Sequence, residues 1–567
     1  VNLMTGYDFA PYLRQIELER DMLTLGYDRT EQRITRLRDK GEASRSPLGI
    51  RLTRTILPDL TAAFTKFTAT ANPGPKAPAR EILRHIAPDA IAYLTARGVF
   101  DAVGAEEHSE SAVAAKIGAD ILDQLKGYAQ LGERAALHVG AAALHVWQLT
   151  TADEYTRARA TFNGPNYLHG TTKMDDLLRE EPEDYLLPRF MPCVVEPAPW
   201  TVTPAQGLRG GYYHEGLRKR LAIVKHQPRN YLEDFGHTEQ PAVLTAVNAV
   251  QSTAWRINRQ IFDVLRPMTK PSRKDPVHRA LVIAKRYLKD EAIYFPMTLD
   301  LTGRLYPVPV DLHPYGEDAI KALLTFAHGK PLGTQAAANA LAVHGANVFG
   351  VKGTLAQRIE WVRDHEQEIL GAATSGWWQQ AGRKTRWQFL AFCFEWAGFK
   401  REGLGFVSSL PVVADGSCNG LQHFSAMLRD EIGGAAVNLI PMDEPQDIYQ
   451  DVADKVNASM SATWVTRHTV KKCVMNVPYG MTAHGRWRAL REWAEEEGVE
   501  INVVEVEKHV AAAIKVTVVK ATEAMEWLRD VANGAQLPLV WQTPSGFPAM
   551  QWEVEQKSVD VLSVVDG

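Results

Sequence analysis

The chain has 567 residues, 45% of them apolar and 23% charged, and a formal net charge of −4. This is the composition of an ordinary globular protein of roughly three or four domain-sized units, and it argues against a generally basic coat for nucleic acid. An enzyme whose basic residues line one channel stays open, because the field that acts on a ligand is local.

Residues 1 to about 130 read as mostly helical, with helical spacing over Tyr12–Leu25, Glu31–Lys40 and Arg80–Gly132. The Pro/Gly/Ala-rich stretch Thr68–Pro78 between them reads as a linker or exposed loop. Val1–Glu17 has neither a signal-peptide core nor a transit pattern, and no apolar run approaches a membrane span. Cys193, Cys393, Cys418 and Cys473 are too widely spaced for a metal pair and read as reduced thiols of a cytosolic protein.

From Leu186 the texture changes, and Pro188–Trp200 is extended and punctuated by proline. Leu208–His226 interleaves Arg209, Arg218, Lys219, Arg220 and Lys225 with Tyr212 and Tyr213. Two readings stand side by side there: a surface tracking a phosphate backbone, or a solvated loop and strand. Ala242–Leu265 is expected to be one helix containing Trp255 and Asn258. In Phe295–Tyr306, Gly303 permits a tight turn that lets Arg304 present its guanidinium to a phosphate. Thr354–Leu370 reads as an amphipathic helix with Leu355, Ile359, Val362 and Ile369 inward. Trp377, Trp378, Trp387 and Phe389 read as core.

The chemistry concentrates in Pro411–Asn438. Leu410–Ala414 is expected to be a buried strand ending on Asp415, followed by Gly416, Ser417 and Gly420 and by a helix over Leu421–Leu428. A lone Asp is commonly a cap or turn residue; ending a buried strand among small residues, it suits a hard cation. Asp443 and Gln446, with Pro445 in the first turn, read as the start of a helix that buries Ile448, Val452, Val456 and Met460. Arg467, Lys471, Met475 and Tyr479 then recur at steps of four, which shares one helix face. Cation, cation, apolar, phenol suits a nucleoside triphosphate lying along the helix better than a solvated basic face. Pro478 predicts a kink before Tyr479 and Gly480.

These stretches resemble the single-subunit, phage-type RNA polymerases of podoviruses and mitochondria. D-G-S-C-N-G-L-Q-H-F-S-A-M-L-R-D-E from Asp415, with Q-D-I-Y at Gln446–Tyr449, is similar to that family's motif A region. Arg467, Lys471, Tyr479 and Gly480 match its motif B, Lys472 its second basic position, and Asp300–Arg304 its D-x-x-G-R. The resemblance runs over roughly Leu186 to Asp566.

It implies an α+β, predominantly helical right-hand fold. The expected parts are an N-terminal domain (1–271) on the promoter, upstream-DNA and transcript side, a shortened thumb (272–295), a palm (296–443) and fingers (444–567). It further implies a monomer in the bacterial host cytoplasm, without membrane contact. That monomer copies a double-stranded DNA template from a promoter into an RNA transcript, using ribonucleoside triphosphates and two Mg²⁺ ions. Asp415, Lys471 and Tyr479 would be catalytic, and Asp415 with the Gly416 carbonyl would serve the metals. Arg467, Lys471, Lys472, Tyr479, Gly480, Gly420 and Tyr449 would hold the nucleotide, and Arg304 and Tyr306 the nucleic acid.

Family A DNA polymerases resemble this architecture too, but carry a Glu five residues after the metal Asp that excludes a 2′-hydroxyl. Gly420 stands there in this chain, and with the Tyr479 hydroxyl it favours ribonucleotides over the DNA polymerase alternative. The pattern also departs from the family. No H-D-S-F string supplies a second metal carboxylate, and neither Asp560 nor Asp566 has that context. The thumb near Lys270 and the stretches between Met460 and Trp464 and near Asn533 are short, and the family continues past Gly567. The expectation is therefore an incomplete view of a longer polymerase. A catalytically silent nucleic-acid-binding fragment is the alternative of another class.

Overall fold

The computed structural model describes residues 9–71, 74–104, 108–125, 132–152, 154–159, 165–171, 187–203, 207–224, 241–535 and 539–551. The chain divides into two compact units, one of Val1–Met191 with Gly210–Ala222 and Glu553–Gly567, the other of Pro192–Arg209 with Ile223–Trp552. Helices dominate both, and the sheets are pairs or triplets of short antiparallel strands, so the fold is α+β and predominantly helical, as the sequence implied.

The first unit is built on α1 (Ala10–Asp39), α2 (Pro47–Ala69), α3 (Ala77–Leu83), α4 (Pro88–Gly104), α5 (Glu110–Leu122) and α6 (Gly132–Thr151). A three-stranded sheet joins them, with β3 (Tyr167–Gly170) between β1 (His108–Ser109) and β2 (Thr156–Arg159). Ser46 caps α2 by accepting from the Gly49 amide, and Leu48, Leu52, Ile56, Leu60 and Phe64 form its buried stripe. Trp147 is fully buried beneath the sheet, edge-on to Phe100, with its indole N–H donating to Thr156 Oγ1 at 2.9 Å.

The two helices expected over Tyr12–Leu25 and Glu31–Lys40 are one helix, α1. Gly26 interrupts the pattern without breaking it, because it is where the backbone of Leu187 and Pro188 crosses; a Cβ there would stand 2.7 Å from the Leu187 oxygen. The Glu19 carboxylate, buried on α1, accepts from the amides of Tyr213 and His214. In the basic and aromatic stretch Tyr212 is fully buried, stacked on Phe190, with its hydroxyl donating to the Met191 carbonyl at 2.8 Å. It is a core residue and offers no ring to a base. Lys225, His226, Asp560 and Asp566 lie outside the described residues.

In the second unit, the single helix expected over Ala242–Leu265 is three elements. Between α8 (Pro241–Gln251) and α9 (Arg259–Met268) lies β6 (Trp255–Ile257), paired antiparallel with β9 (Leu324–Phe326). Trp255 sets this break: its backbone exchanges both hydrogen bonds with Ile293, and its ring packs on Phe326 at 4.6 Å. Asn258 is the cap of α9, accepting from the Ile261 amide. The 276–295 stretch holds one helix, α10 (Pro276–Arg286), started by Asp275.

The expected helix over Thr354–Leu370 is also divided. Thr354 and Gln357 form a capping box for α13 (Leu355–Asp364), and α14 (Glu366–Ser375) restarts after His365. Val362 and Ile369 are buried, whereas Leu355 is exposed. Behind α12 (Gln335–Phe349), Trp378, Trp387 and Phe389 are core as expected, whereas Trp377 is only partly buried and stacks on Phe349. The helix that carries Trp387 and Phe389, α15 (Arg386–Glu402), is capped from a distance by the buried Asp318, which accepts from the amides of Trp387 and Gln388.

Helices α5 and α6 cross at two glycines. A Cβ on Gly140 would stand 1.6 Å from the Ala114 carbonyl oxygen, and one on Gly118 1.7 Å from that of Ala136. Gly140→Ala is expected to cost at least ~1–3 kcal/mol through overpacking against rigid backbone. Gly371→Ala, on α14 where an added Cβ meets nothing within 4 Å, should gain up to ~1 kcal/mol in helix propensity. Thermal unfolding followed by circular dichroism should move in opposite directions for the two variants.

Candidate active site

The segment before Asp415 is extended, but it is not the buried strand expected. None of Leu410–Ala414 is buried: Leu410 and Pro411 are partly covered, and Val412 and Val413 are half exposed. Its amides are satisfied by side chains of neighbouring helices instead of a strand ladder. Glu395 Oε1 on α15 accepts from Ser409 N at 2.7 Å, Leu410 N at 3.1 Å and the Ser408 hydroxyl at 2.7 Å. His344 Nδ1 on α12 accepts from Val413 N at 3.3 Å. Burial pushes the His344 imidazole down to about 4, which keeps it a neutral acceptor at physiological pH.

Asp415 itself is exposed, with one carboxylate oxygen 2.9 Å from the Gly416 amide. The helix that follows, α16 (Asn419–Leu428), starts immediately behind it. Asn438 ties down the intervening turn. Held in the left-handed region at φ 57°, it donates to Ser417 Oγ and to the Gln446 carbonyl, each at 2.8 Å, and accepts from Gln446 N at 2.7 Å.

The next helix, α18 (Ile448–Met460), is capped by Asp447 and not by the Asp443 pair the sequence suggested; Pro445 lies outside it. Ile448, Val452 and Val456 are buried as expected, Met460 only partly. Asp447 Oδ1 accepts from the Tyr449 and Gln450 amides, and Oδ2 from Arg467 Nε at 2.7 Å. Tyr449 is buried, which raises its hydroxyl pKa, and it donates to the Ser417 carbonyl at 3.0 Å. Arg467 and Lys471 lie 5.5 and 5.9 Å from the centre of the Tyr449 ring. One phenol therefore joins the turn after Asp415 to Arg467 and Lys471 of α19 (Arg467–Met475).

Sequence reasoning missed two further cations. Lys352 has its ammonium pKa lowered by partial burial first, then by repulsion from Arg467, Arg358 and Lys471, with Asp447 opposing. Lys352 therefore lies in the field of three other cations, Arg467, Arg358 and Lys471, with Asp447 the carboxylate that opposes them. The signal in the sequence was Lys352 between Gly350 and Gly353, both at positive φ, just ahead of the α13 capping box.

Helix α19 ends at Met475, a 3₁₀ turn carries Val477–Tyr479, and Gly480 follows at φ 76°. The break expected at Pro478 is present, but the α-helix ends before it, so Tyr479 does not continue the face that carries Arg467, Lys471 and Met475. Tyr479 is half exposed, its hydroxyl 3.4 Å from Asn419 Oδ1, and the Arg304 guanidinium lies 5.9 Å from its ring centre. Arg304 gets there on the β7 (Met297–Leu299)–β8 (Leu305–Pro307) hairpin, whose turn uses Gly303 at φ 80°. Asp300 closes that turn. Burial opposes its charge, but bonds from Thr302, the Arg304 amide and Tyr306 hold its carboxyl below the usual range.

Two expected site residues are placed differently. Lys472 lies about 100° round α19 from Lys471, and it pairs with Glu492 at 3.3 Å on α20 (Ala483–Glu497). Gly420 is buried, and a Cβ there would stand 2.4 Å from Pro478 Cγ and 3.5 Å from the Tyr479 ring. The space beside Gly420 is filled by the motif B turn, so its smallness serves that packing and does not leave a gap for a hydroxyl.

A family model described as DNA-dependent RNA polymerase matches residues 330–565, which includes Asp415, Arg467, Lys471 and Tyr479. The chain is 28% identical to T7 RNA polymerase of Escherichia phage T7, over 95% of this chain and 80% of the relative. It is 32% identical to the DNA-directed RNA polymerase of Enterobacteria phage T3, over 64% of this chain and 53% of the relative. With the mitochondrial DNA-directed RNA polymerase of Mus musculus the identity is 29%, over 65% and 37%. The chain belongs to the single-subunit, phage-type RNA polymerases. Its alignment with the T7 enzyme spans 712 residues, more than its own length, so that relative carries internal segments this family member lacks.

Gly420→Ala is expected to displace Pro478 and Tyr479 and to lower nucleotide addition for ribo- and deoxyribonucleotides alike. A loss confined to ribonucleotides in paired primer-extension rates would restore the sugar-sensing role to Gly420.

Proposed function

We propose that this chain is a DNA-directed RNA polymerase that adds ribonucleotides to the 3′ end of a transcript. The observation that carries the reading is that Arg467, paired with Asp447, and Lys471 both stand against the Tyr449 ring, whose hydroxyl reaches the turn after Asp415, with Lys352 in the field of Arg467, Arg358 and Lys471. That excess of positive charge suits the β- and γ-phosphates of a nucleoside triphosphate. In this reading residues 296–443 are the palm, 444–567 the fingers, 272–295 a short thumb, and 1–271 the promoter and transcript side. The partners are double-stranded template DNA, the RNA transcript and ribonucleoside triphosphates, and the enzyme acts as a monomer in the host cytoplasm. Among the described residues no helix is long and apolar enough to cross a membrane.

Mg²⁺ is commonly held by one or two carboxylates together with substrate phosphates. The exposed Asp415 carboxylate and the Gly416 carbonyl fit the share of one ion. Among the described residues no group of three or more His, Cys, Asp or Glu stands together, so a complete two-ion set is not supplied by them. When bound, the ion supplies charge neutralisation at phosphoryl oxygens. The protein's own part is positional. Lys352, Lys471 and Arg467 draw the triphosphate along α19, and the Tyr479 phenol meets the sugar. Arg304 on the hairpin steadies that phenol and the nucleic acid beside it. Tyr449 and Asn438 fix the turn, and Glu395 and His344 fix the approach to Asp415.

Primer extension with ribo- and deoxyribonucleotides in parallel tests this. Asp415→Asn should abolish extension with the fold intact by circular dichroism; near-normal extension would remove the metal role. Lys471→Ala and Lys352→Ala should each lower kcat/KM for nucleotides about ten- to hundredfold, since a charge-assisted contact contributes ~1.5–3 kcal/mol. Tyr479→Phe should admit deoxyribonucleotides with little loss of overall rate, and unchanged sugar preference would return the DNA polymerase alternative.

A further inference from the structure

Away from the motif A and motif B residues, the second unit holds a cleft of about 570 Å³ where α18, α20 and α21 (Val503–Thr517) meet. Trp464 and Trp493 stand in it nearly parallel, ring centres 6.1 Å apart and planes 16° from each other. Glu497, Glu500 and Glu505 line the same space, and all three are exposed. Trp464 is 39% exposed, so part of its indole is accessible to a ligand.

Trp493 makes this more than an acidic surface. It is 9% exposed, and its indole N–H is buried with no hydrogen-bond partner among the described residues. A buried indole N–H normally finds an acceptor, and leaving one without costs free energy. The carboxylates differ in the same respect. Glu497 faces His468 at 3.4 Å and Glu505 accepts from Asn502 at 3.2 Å, whereas Glu500 has no such partner among the described residues. A buried donor without a partner, an exposed carboxylate and a partly exposed indole therefore border one cleft.

We propose that this cleft is a docking site for a basic segment of a partner protein, with an arginine side chain on the Trp464 face. Arginine stacks on indole more readily than lysine and pairs with carboxylate in two-pronged fashion. A backbone carbonyl of the same segment supplies the acceptor that the Trp493 N–H lacks. A nucleic acid is the wrong occupant, because its phosphates would meet Glu497, Glu500 and Glu505. A free polyamine brings charge but no acceptor for the indole.

The test uses the full chain with ¹⁵N-labelled tryptophan, whose 14 indole N–H groups are separable by NMR, Trp493 being assigned by loss of its signal in Trp493→Phe. The probe is the capped tripeptide Gly-Arg-Gly, with Gly-citrulline-Gly as its uncharged counterpart. The arginine peptide should move the Trp493 indole N–H, and the citrulline peptide should move it much less. Glu500→Gln, an exposed change that leaves the core alone, should weaken arginine-peptide binding about tenfold without altering primer extension. No shift at 10 mM peptide, equal shifts with citrulline, or unchanged binding in Glu500→Gln would each overturn the proposal. A Trp493 shift that follows protein concentration without peptide would assign the cleft to a second copy of the chain, and that too would overturn it.

Discussion

The Asp447 carboxylate divides its two oxygens between two tasks, and the site depends on that division. One oxygen caps α18 and fixes where Tyr449 leaves the helix; the other holds Arg467. Tyr449 in turn reaches the Ser417 carbonyl, so the register of α18 sets the turn behind Asp415. The Arg467–Asp447 pair is more than a third exposed on both sides, and such pairs contribute only ~0–1 kcal/mol. Arg467 is thus positioned without being committed, and an arriving phosphate can share it at small cost.

The approach to Asp415 follows a related economy. A central strand would have been held by ladder bonds on both sides. Here the amides at Ser409, Leu410 and Val413 are taken by Glu395 and His344, two acceptors on helices that pack into the aromatic core. Helix-borne side chains set this backbone without covering it, so Val412, Val413 and Asp415 stay accessible. The neutrality of His344 matters to that arrangement. Its pKa lies below the usual imidazole value, so its contribution is present above pH 6.5 and fades as pH falls toward about 4.

Local chemistry was the legible part of the sequence. The break at Pro478, the tight turn at Gly303, the buried face of α18 and the tryptophan core all follow from properties of single residues or one helical period. What was not legible depended on partners far along the chain. The helical spacing of Tyr12–Leu25 and Glu31–Lys40 did not show that Leu187 crosses at Gly26 between them, and Trp255 looked helical until Phe326 and Ile293 claimed it. Gly420 looked like room for a sugar until Pro478 was known to fill that room. Lys352 and Arg358 sit more than a hundred residues before Arg467 and share no motif with it, so only the fold reveals that their charges belong together.

Charge is sorted by one helix. Arg467, His468, Lys471 and Lys472 form two adjacent basic stripes on α19, since successive residues stand about 100° apart. On one stripe Glu492 of α20 pairs with Lys472 and Glu497 faces His468. The other stripe meets Lys352 and Arg358, with Asp447 as its one acidic neighbour among the groups named by its field. The same α20 carries Glu497 into the acidic cleft beside Trp464 and Trp493. A net charge of −4 is therefore compatible with binding a polyanion. Glu492 takes Lys472 on one side of α19, while Arg467 and Lys471 meet the Tyr449 ring on the other, and the charge that acts on a ligand is local.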